Sequence, residues 1–211
     1  VNRMVPGGRH NEIPYRRIED TVYASANNPR PWQQIDIHDV ISKTKTRISF
    51  TNKEKSQCES ILNSVGFNPS QKYVCVNIRD SAFHNDEGTQ DHRNSSINDY
   101  LDAFDYLTDL DYKVVRMGAK VTEKLINQNS SVFDYSMSGI RSELLDLYLI
   151  SNCTFYVGTG SGLDMLCSLF RKMAVFINFS MLGTIPEIQH NSLVIFRRMK
   201  INDENLSIPF I

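Results

Sequence analysis

An arginine ends an otherwise apolar run in this chain: Tyr73-Val74-Cys75-Val76-Asn77-Ile78 is followed directly by Arg79 and Asp80. A guanidinium keeps its charge at any working pH and presents a planar fork of donors matched to phosphate. At the end of a buried strand it needs an anion, because an unpaired charge away from water is costly. That anion is a ligand, or it is Asp80 or Asp134 in a structural ion pair. Arg116 sits in the same way near the end of a second apolar run, Tyr112-Lys113-Val114-Val115-Arg116-Met117, just before Gly118, and Arg93 lies in the polar stretch between the two. A further run, Thr154-Phe155-Tyr156-Val157, leads into Gly158-Thr159-Gly160-Ser161-Gly162. Glycines let the backbone approach a ligand, and the amides that open a following helix carry partial positive charge, so such a turn makes an anion seat. Brought to one edge, these arginines and this turn suit a diphosphate. GTGSG matches neither GxGxxG nor GxxxxGK[ST], so the dinucleotide fingerprint and the P-loop are both absent. A tight turn with Ser161 as helix cap is the plain alternative.

His84, Glu87, Asp91 and His92 are candidate acid–base groups. The stretch from His84 to Asn94 is long and polar, as loops beside binding edges often are. His84 and His92 among carboxylates fit no tight metal-ligand motif, and neither GxSxG nor HExxH occurs, so metal centres and hydrolase templates gain no support. Cys58, Cys75, Cys153 and Cys167 are widely spaced, with no CxxC pair. They read as buried thiols of a reducing compartment rather than a disulfide framework. Sequons beginning at Asn94, Asn129, Asn152, Asn178 and Asn205 read as chance in an Asn-rich chain, two of them abutting or lying in expected core strands.

The elements that would bring these residues together follow from periodicity. Thr51 and Glu54 form a capping box, which predicts a helix to about residue 65 with Gly66 as its stop. The run from Tyr73 to Ile78 reads as a buried parallel strand. Ser96 caps a helix predicted over 97–110, whose apolar face is Ile97, Tyr100, Leu101, Phe104 and Leu107. A strand over 112–117, a helix near 121–127, a short strand at 132–134 and a helix over 143–150 capped by Ser142 come next. A strand over 154–157, a helix over 163–171 and strands over 174–177 and 193–196 complete the pattern. Strands alternating with helices predict an α/β fold, a doubly wound Rossmann-like parallel sheet over residues 51–200. Residues 1–50, punctuated by proline and glycine, read as an irregular arm or remnant of a preceding domain with a short element around 35–42, and 201–211 as a tail.

Composition sets the outer limits. The 211 residues are 41% hydrophobic and 22% charged, with a formal net charge of −1. That is an ordinary globular balance, and its near-neutrality argues against a nucleic-acid partner held by bulk charge. No apolar run reaches the length of a membrane span, so the chain is not expected to cross a bilayer by itself, and no secretory signal is visible. The chain opens with Val1 rather than Met, an opening compatible with a fragment whose signals were cut away.

In order along the chain, Val74 to Ser81, His92-Arg93-Asn94, Val115-Arg116-Met117-Gly118, Asp134-Tyr135, Ser142-Glu143-Leu144-Leu145-Asp146 and Thr159-Gly160-Ser161-Gly162 resemble a bacterial glycosyltransferase family of surface-polysaccharide loci. That family is distantly similar to the fucosyltransferases that use GDP-fucose, and the resemblance covers roughly residues 45–200. It implies the donor-binding, C-terminal half of a two-domain GT-B enzyme acting without a metal or other cofactor, with a nucleotide-sugar donor, GDP-fucose among the options, and a glycan acceptor. Arg79 matches the arginine given to the donor diphosphate, with Asn77 where a histidine often stands. Catalytic roles fall on Arg79 and Asp80. A sugar transferase would take its base for the acceptor hydroxyl from Asp80, Glu87 or Asp91, among which nothing selects, and hold the nucleoside ribose or base with Asp134 or Glu143. Such an enzyme is expected in the cytoplasm or at the periphery of the inner membrane. Donor binding falls on Arg93, Asn94, Arg116, Gly118, Asp134, Ser142, Glu143, Thr159, Gly160, Ser161 and Gly162. Glu143 replaces a usual aspartate and Met173 a common proline. A non-catalytic nucleotide-binding or assembly module is the competing reading, and phosphatase or pyruvyl-transfer chemistry a third.

Overall fold

The computed structural model describes residues 43–82, 94–127, 129–179, 192–197, 199–201 and 204–206. Helix α1 (Asn52–Ser64) starts where side chains satisfy its first amides: the Thr51 hydroxyl takes the Glu54 N–H, and the Glu54 carboxylate accepts the Thr51 N–H at 2.7 Å. It stops before Gly66, whose φ of +80° suits a residue without a Cβ. Strand β1 (Tyr73–Asn77) is buried at every residue, which explains why its sequence is a continuous apolar run rather than an alternation. The Ser96 hydroxyl accepts the Asn98 N–H to open a 3₁₀ turn (Ile97–Tyr100) that continues as α2 (Leu101–Asp109). Then come β2 (Lys113–Arg116), β3 (Val132–Phe133), α3 (Glu143–Asn152), β4 (Phe155–Gly158), α4 (Met165–Phe170), β5 (Ala174–Phe179) and β6 (Leu193–Phe196).

The six strands pair in the order β3-β2-β1-β4-β5-β6, all parallel, with Cys75 beside Val115 on one side and beside Tyr156 on the other. The chain winds outward from β1 to β3, returns to lay β4 against β1, and winds outward again: the expected doubly wound α/β fold. One face carries the larger core, where Cys58 and Leu62 of α1, Leu145 and Leu149 of α3 and Cys167 and Phe170 of α4 meet the sheet. The other is covered by Ile97 and Phe104 over Val74, Val76 and Val114. All four cysteines are buried and unbridged. Phe50 stacks on Phe170 and meets the edge of Tyr148, so the last residue assigned to the N-terminal arm packs with the domain core. The rest of that arm up to residue 42, with the element expected at 35–42, lies outside the described residues. No described helix is long and apolar enough to cross a membrane.

Two expectations are corrected. A short antiparallel pair, β7 (Met199–Ile201) with β8 (Glu204–Leu206), occupies part of what was read as a tail. The helix expected over 121–127 does not form. Its backbone groups are claimed from outside: Asp80 Oδ2 accepts the N–H groups of Thr122 (2.8 Å) and Glu123 (3.3 Å), Arg116 donates to the Glu123 carbonyl, and Asn98 bonds the Ile126 N–H and the Lys124 carbonyl. The Glu123 carboxylate in turn accepts from the Ser96 hydroxyl, the Ile97 N–H and the Asn98 amide, tying this segment to the start of α2.

These bonds, that from Ser96 foremost, hold the Glu123 carboxyl below its usual range. A depressed folded value means that the stability contributed is present above the ordinary unfolded carboxylate value, about 4.3, and is lost as pH falls through the lower folded one. Glu123→Gln is therefore expected to lower the midpoint of urea unfolding at neutral pH, by about 1–2 kcal/mol of stability, and to flatten the loss of stability below about pH 4.3. An unchanged neutral midpoint would show that the belt through Glu123 carries no stability.

Candidate functional site

Neighbouring strands β1 and β4 feed connections that leave in opposite directions, so a crevice opens above their carboxyl ends. A cleft of about 330 Å³ lies there. Asn77, Ile78, Arg79 and Asp80 line it from the end of β1, Gly118 to Val121 from the end of β2, Arg141 and Asp146 from the start of α3, and Gly160 to Leu163 from the turn after β4.

The glycine turn is built around a buried carboxylate. Asp164, 2% exposed, accepts from the Tyr156 hydroxyl (2.7 Å), the Ser161 N–H (2.8 Å) and the Ser161 hydroxyl (3.0 Å). The Gly160 N–H also points to it. Asn77 Nδ2 donates to Ser161 Oγ at 2.7 Å, tying the end of β1 to the same turn. Burial raises the Asp164 carboxyl above its usual range and outweighs these hydrogen bonds, which favour the charged form. The consequence for ligand binding is direct. The Gly160 and Ser161 amides, expected to face an anion in the crevice, are turned inward onto the protein's own carboxylate. The Leu163 N–H is taken by Ser161 Oγ, at 3.2 Å. The turn's own groups thus occupy most of the amides that the sequence offered to an anion.

The side chains of the cleft also differ from the sequence expectation. Arg79, half-buried, lines the cleft together with Gly160, and its N–H donates to Thr159 Oγ1 at 2.8 Å. Asp80 lines it too, but its oxygens accept from Ala82 N–H, Thr122 N–H and hydroxyl, and Glu123 N–H. A carboxylate so engaged braces the cleft wall. Gly118 lies in the cleft at φ +149°, where a Cβ would sit 2.8 Å from Val121 Cγ1. Arg116 is elsewhere. It is 2% exposed, donating to Asp134 Oδ2 at 2.9 Å and to the Glu123 carbonyl at 2.7 Å, a structural ion pair beneath the wall that also accounts for Asp134. Ser142 caps α3 through the Leu145 N–H, while Glu143 is exposed on its first turn; neither borders the cleft, nor does Asn94 or the buried Thr159. Arg93 lies outside the described residues, as do His84, Glu87, Asp91 and His92.

Three charged cleft residues were missed. Lys120 is exposed at its rim. Arg141 and Asp146 pair at 2.6 Å, and Asp146 also accepts from the Tyr135 hydroxyl at 2.9 Å. Burial raises the Asp146 carboxyl, against the pull of Tyr135 and Arg141. Both residues carried a signal. A cation next to a helix N-cap opposes the helix dipole, and a carboxylate in the apolar run of α3 needs a buried partner.

With this geometry in hand, the comparison with solved structures is informative about fold. The chain is similar to E. coli ADP-heptose LPS heptosyltransferase II, with a TM-score of 0.50 and 18% identity over 74% of this chain and 46% of that one. A glycosyl transferase family 9 structure from Veillonella parvula DSM 2008 gives a TM-score of 0.46 at 12% identity, covering 71% of this chain and 42% of that one. No family model matches the sequence, and neither does any curated protein. The chain thus shares the Rossmann-like α/β fold of the heptosyltransferase, and it spans less than half the length of either structure.

The buried turn makes its own prediction. A Cβ at Gly158 would lie 2.6 Å from Tyr156 Cε1 and 2.7 Å from Asp164 Oδ1, whereas one at Gly162 meets nothing within 4 Å. Gly158→Ala is expected to cost about 1–3 kcal/mol, and Gly162→Ala to leave the unfolding midpoint unchanged or slightly raised. Equal midpoints for the two variants would remove the turn's dependence on the Tyr156–Asp164 pair.

Proposed function

We propose that this domain grips the nucleoside-diphosphate end of an activated sugar and serves glycosyl transfer to a glycan acceptor without a metal. One observation carries the reading: Arg79, Lys120 and Arg141 converge on a single cleft at the β1–β4 switch point, where ligands of such sheets bind. The fold likeness to a heptosyltransferase supports a sugar nucleotide as the ligand class.

In such a transfer the acceptor oxygen bonds to the anomeric carbon as the bond from that carbon to the diphosphate oxygen breaks. The acceptor proton leaves to a base, and negative charge grows on the departing diphosphate. Fixed guanidinium and ammonium groups aimed at that oxygen lower the barrier, each such contact being worth about 3–4 kcal/mol in comparable sites. Arg79 takes this role. Asp80 holds the wall, and the acceptor with its base is assigned to a second domain. Residues 51–200 are then the donor-binding unit, of a cytoplasmic or membrane-peripheral enzyme of cell-envelope polysaccharide synthesis. The motif resemblance nominates GDP-fucose as donor and the fold neighbour's name ADP-heptose, and both belong in the test.

A second reading, a binding module without turnover, is favoured by one feature. Both cleft carboxylates, Asp80 and Asp146, are already hydrogen-bonded within the chain.

Calorimetry with ADP, GDP and UDP distinguishes these ideas. Arg79→Ala is expected to weaken the preferred diphosphate about tenfold to a hundredfold, with chelator making no difference. Undiminished affinity would retire the role of Arg79. Diphosphate binding with no turnover of any sugar donor and acceptor would select the binding module.

A further inference from the structure

Arg141 makes an unusual ion pair. A guanidinium facing a carboxylate ordinarily engages it through two parallel N–H···O bonds. Here Nη2 reaches Asp146 Oδ2 at 2.6 Å, and the second carboxylate oxygen is already taken by the Tyr135 hydroxyl at 2.9 Å. Tyr135 is itself fixed: fully buried, it accepts the Ser142 N–H at 3.1 Å. The fork therefore closes on one point only. Arg141 Nε is buried with no hydrogen-bond partner, although the side chain as a whole is 28% exposed and borders the cleft. A buried N–H without an acceptor is expensive in a finished structural pair, so the contact with Asp146 leaves this guanidinium incompletely satisfied.

The charge pattern of the cleft points the same way. Asp80 is satisfied by backbone and hydroxyl donors of the wall, and Asp146 by Tyr135 and Arg141. The carboxylate held on Arg141 through a single oxygen leaves most of the guanidinium's donors unspent, for Arg carries five N–H groups.

We propose that Arg141 is the second guanidinium of the diphosphate site, held ready by Asp146 and kept from a closed ion pair by Tyr135, so that Arg79 and Arg141, supplied by different elements, each take one phosphate. This rests on the nucleotide reading of the cleft and goes beyond it: the site selects a diphosphate over a monophosphate, and Arg141 sets that preference. Tyr135 is a positioning residue, acting through Asp146.

The test is calorimetric titration of the intact chain and its variants with the preferred nucleoside diphosphate and with its monophosphate. Arg141→Ala is expected to weaken the diphosphate about tenfold while moving the monophosphate less than about twofold, collapsing the preference. Arg141→Lys, which keeps a charge beside Asp146 without the fork, should fall between, and carries the test if the alanine variant does not fold. Tyr135→Phe frees Asp146 Oδ1 to close on Arg141 and should shift the preference in the same direction, a readout that a merely structural tyrosine would leave unmoved. Equal loss of both ligands, or no loss, in Arg141→Ala and Arg141→Lys overturns the assignment. If Arg79→Ala still weakens binding in that case, the cleft reading survives; if the wild-type chain binds no nucleotide, both fall.

Discussion

The cleft takes its shape from Asp164, a carboxylate sealed beneath the turn that follows β4. Taken out of water, it must be surrounded by donors, and the chain provides them from the turn itself: the amides of Gly160 and Ser161, the Ser161 hydroxyl and the phenol of Tyr156. Each donor constrains a neighbour. Tyr156 and Asp164 leave no room for a side chain at Gly158, and Ser161 is further held by Asn77 across the gap to β1. The two strands between which the winding reverses are thus tied at their upper ends by one buried polar cluster. A glycine-rich turn usually suggests backbone amides waiting for phosphate; here the nest is largely filled from within.

A similar economy governs the charges. Arg116, Asp134, Asp80 and Glu123 look like ligand groups when each is considered alone, yet they brace the segment after β2. Arg116 and Asp80 hold it from below and beside, and Glu123 ties it to the start of α2. That wall lacks regular secondary structure because its backbone is satisfied by these side chains instead. Apart from these, the cations that line the cleft are Arg79, Lys120 and Arg141.

What the sequence revealed and what it concealed divide along the same line. The cap at Thr51, the stop at Gly66, the buried run of β1 and the cap at Ser142 are decided by near neighbours, and all were legible. So was the doubly wound parallel sheet, since alternating short strands and helices leave few ways to wind. The region 121–127 read as helix because its periodicity is real, but acceptors and donors distant in sequence outbid the helical bonds. Asp134 was weighed as a partner for Arg79 and belongs to Arg116. Asp164 was overlooked although Ser161 and Asp164 have the spacing of a capping box, and Arg141 although it stands against a helix dipole. Pairwise spacing identifies which residues have chemistry; only the three-dimensional neighbours decide whether that chemistry is spent internally.

The cysteines have a practical side. Cys58, Cys75, Cys153 and Cys167 all lie inside the folded domain, so none is presented to solvent thiol reagents while the sheet and its helices are intact. Modification by a maleimide would then report opening of the fold rather than surface chemistry, giving a clock for unfolding that needs no engineered label. A single cysteine added at the rim of the crevice would take a fluorophore alone, and the native thiols would stay dark behind it.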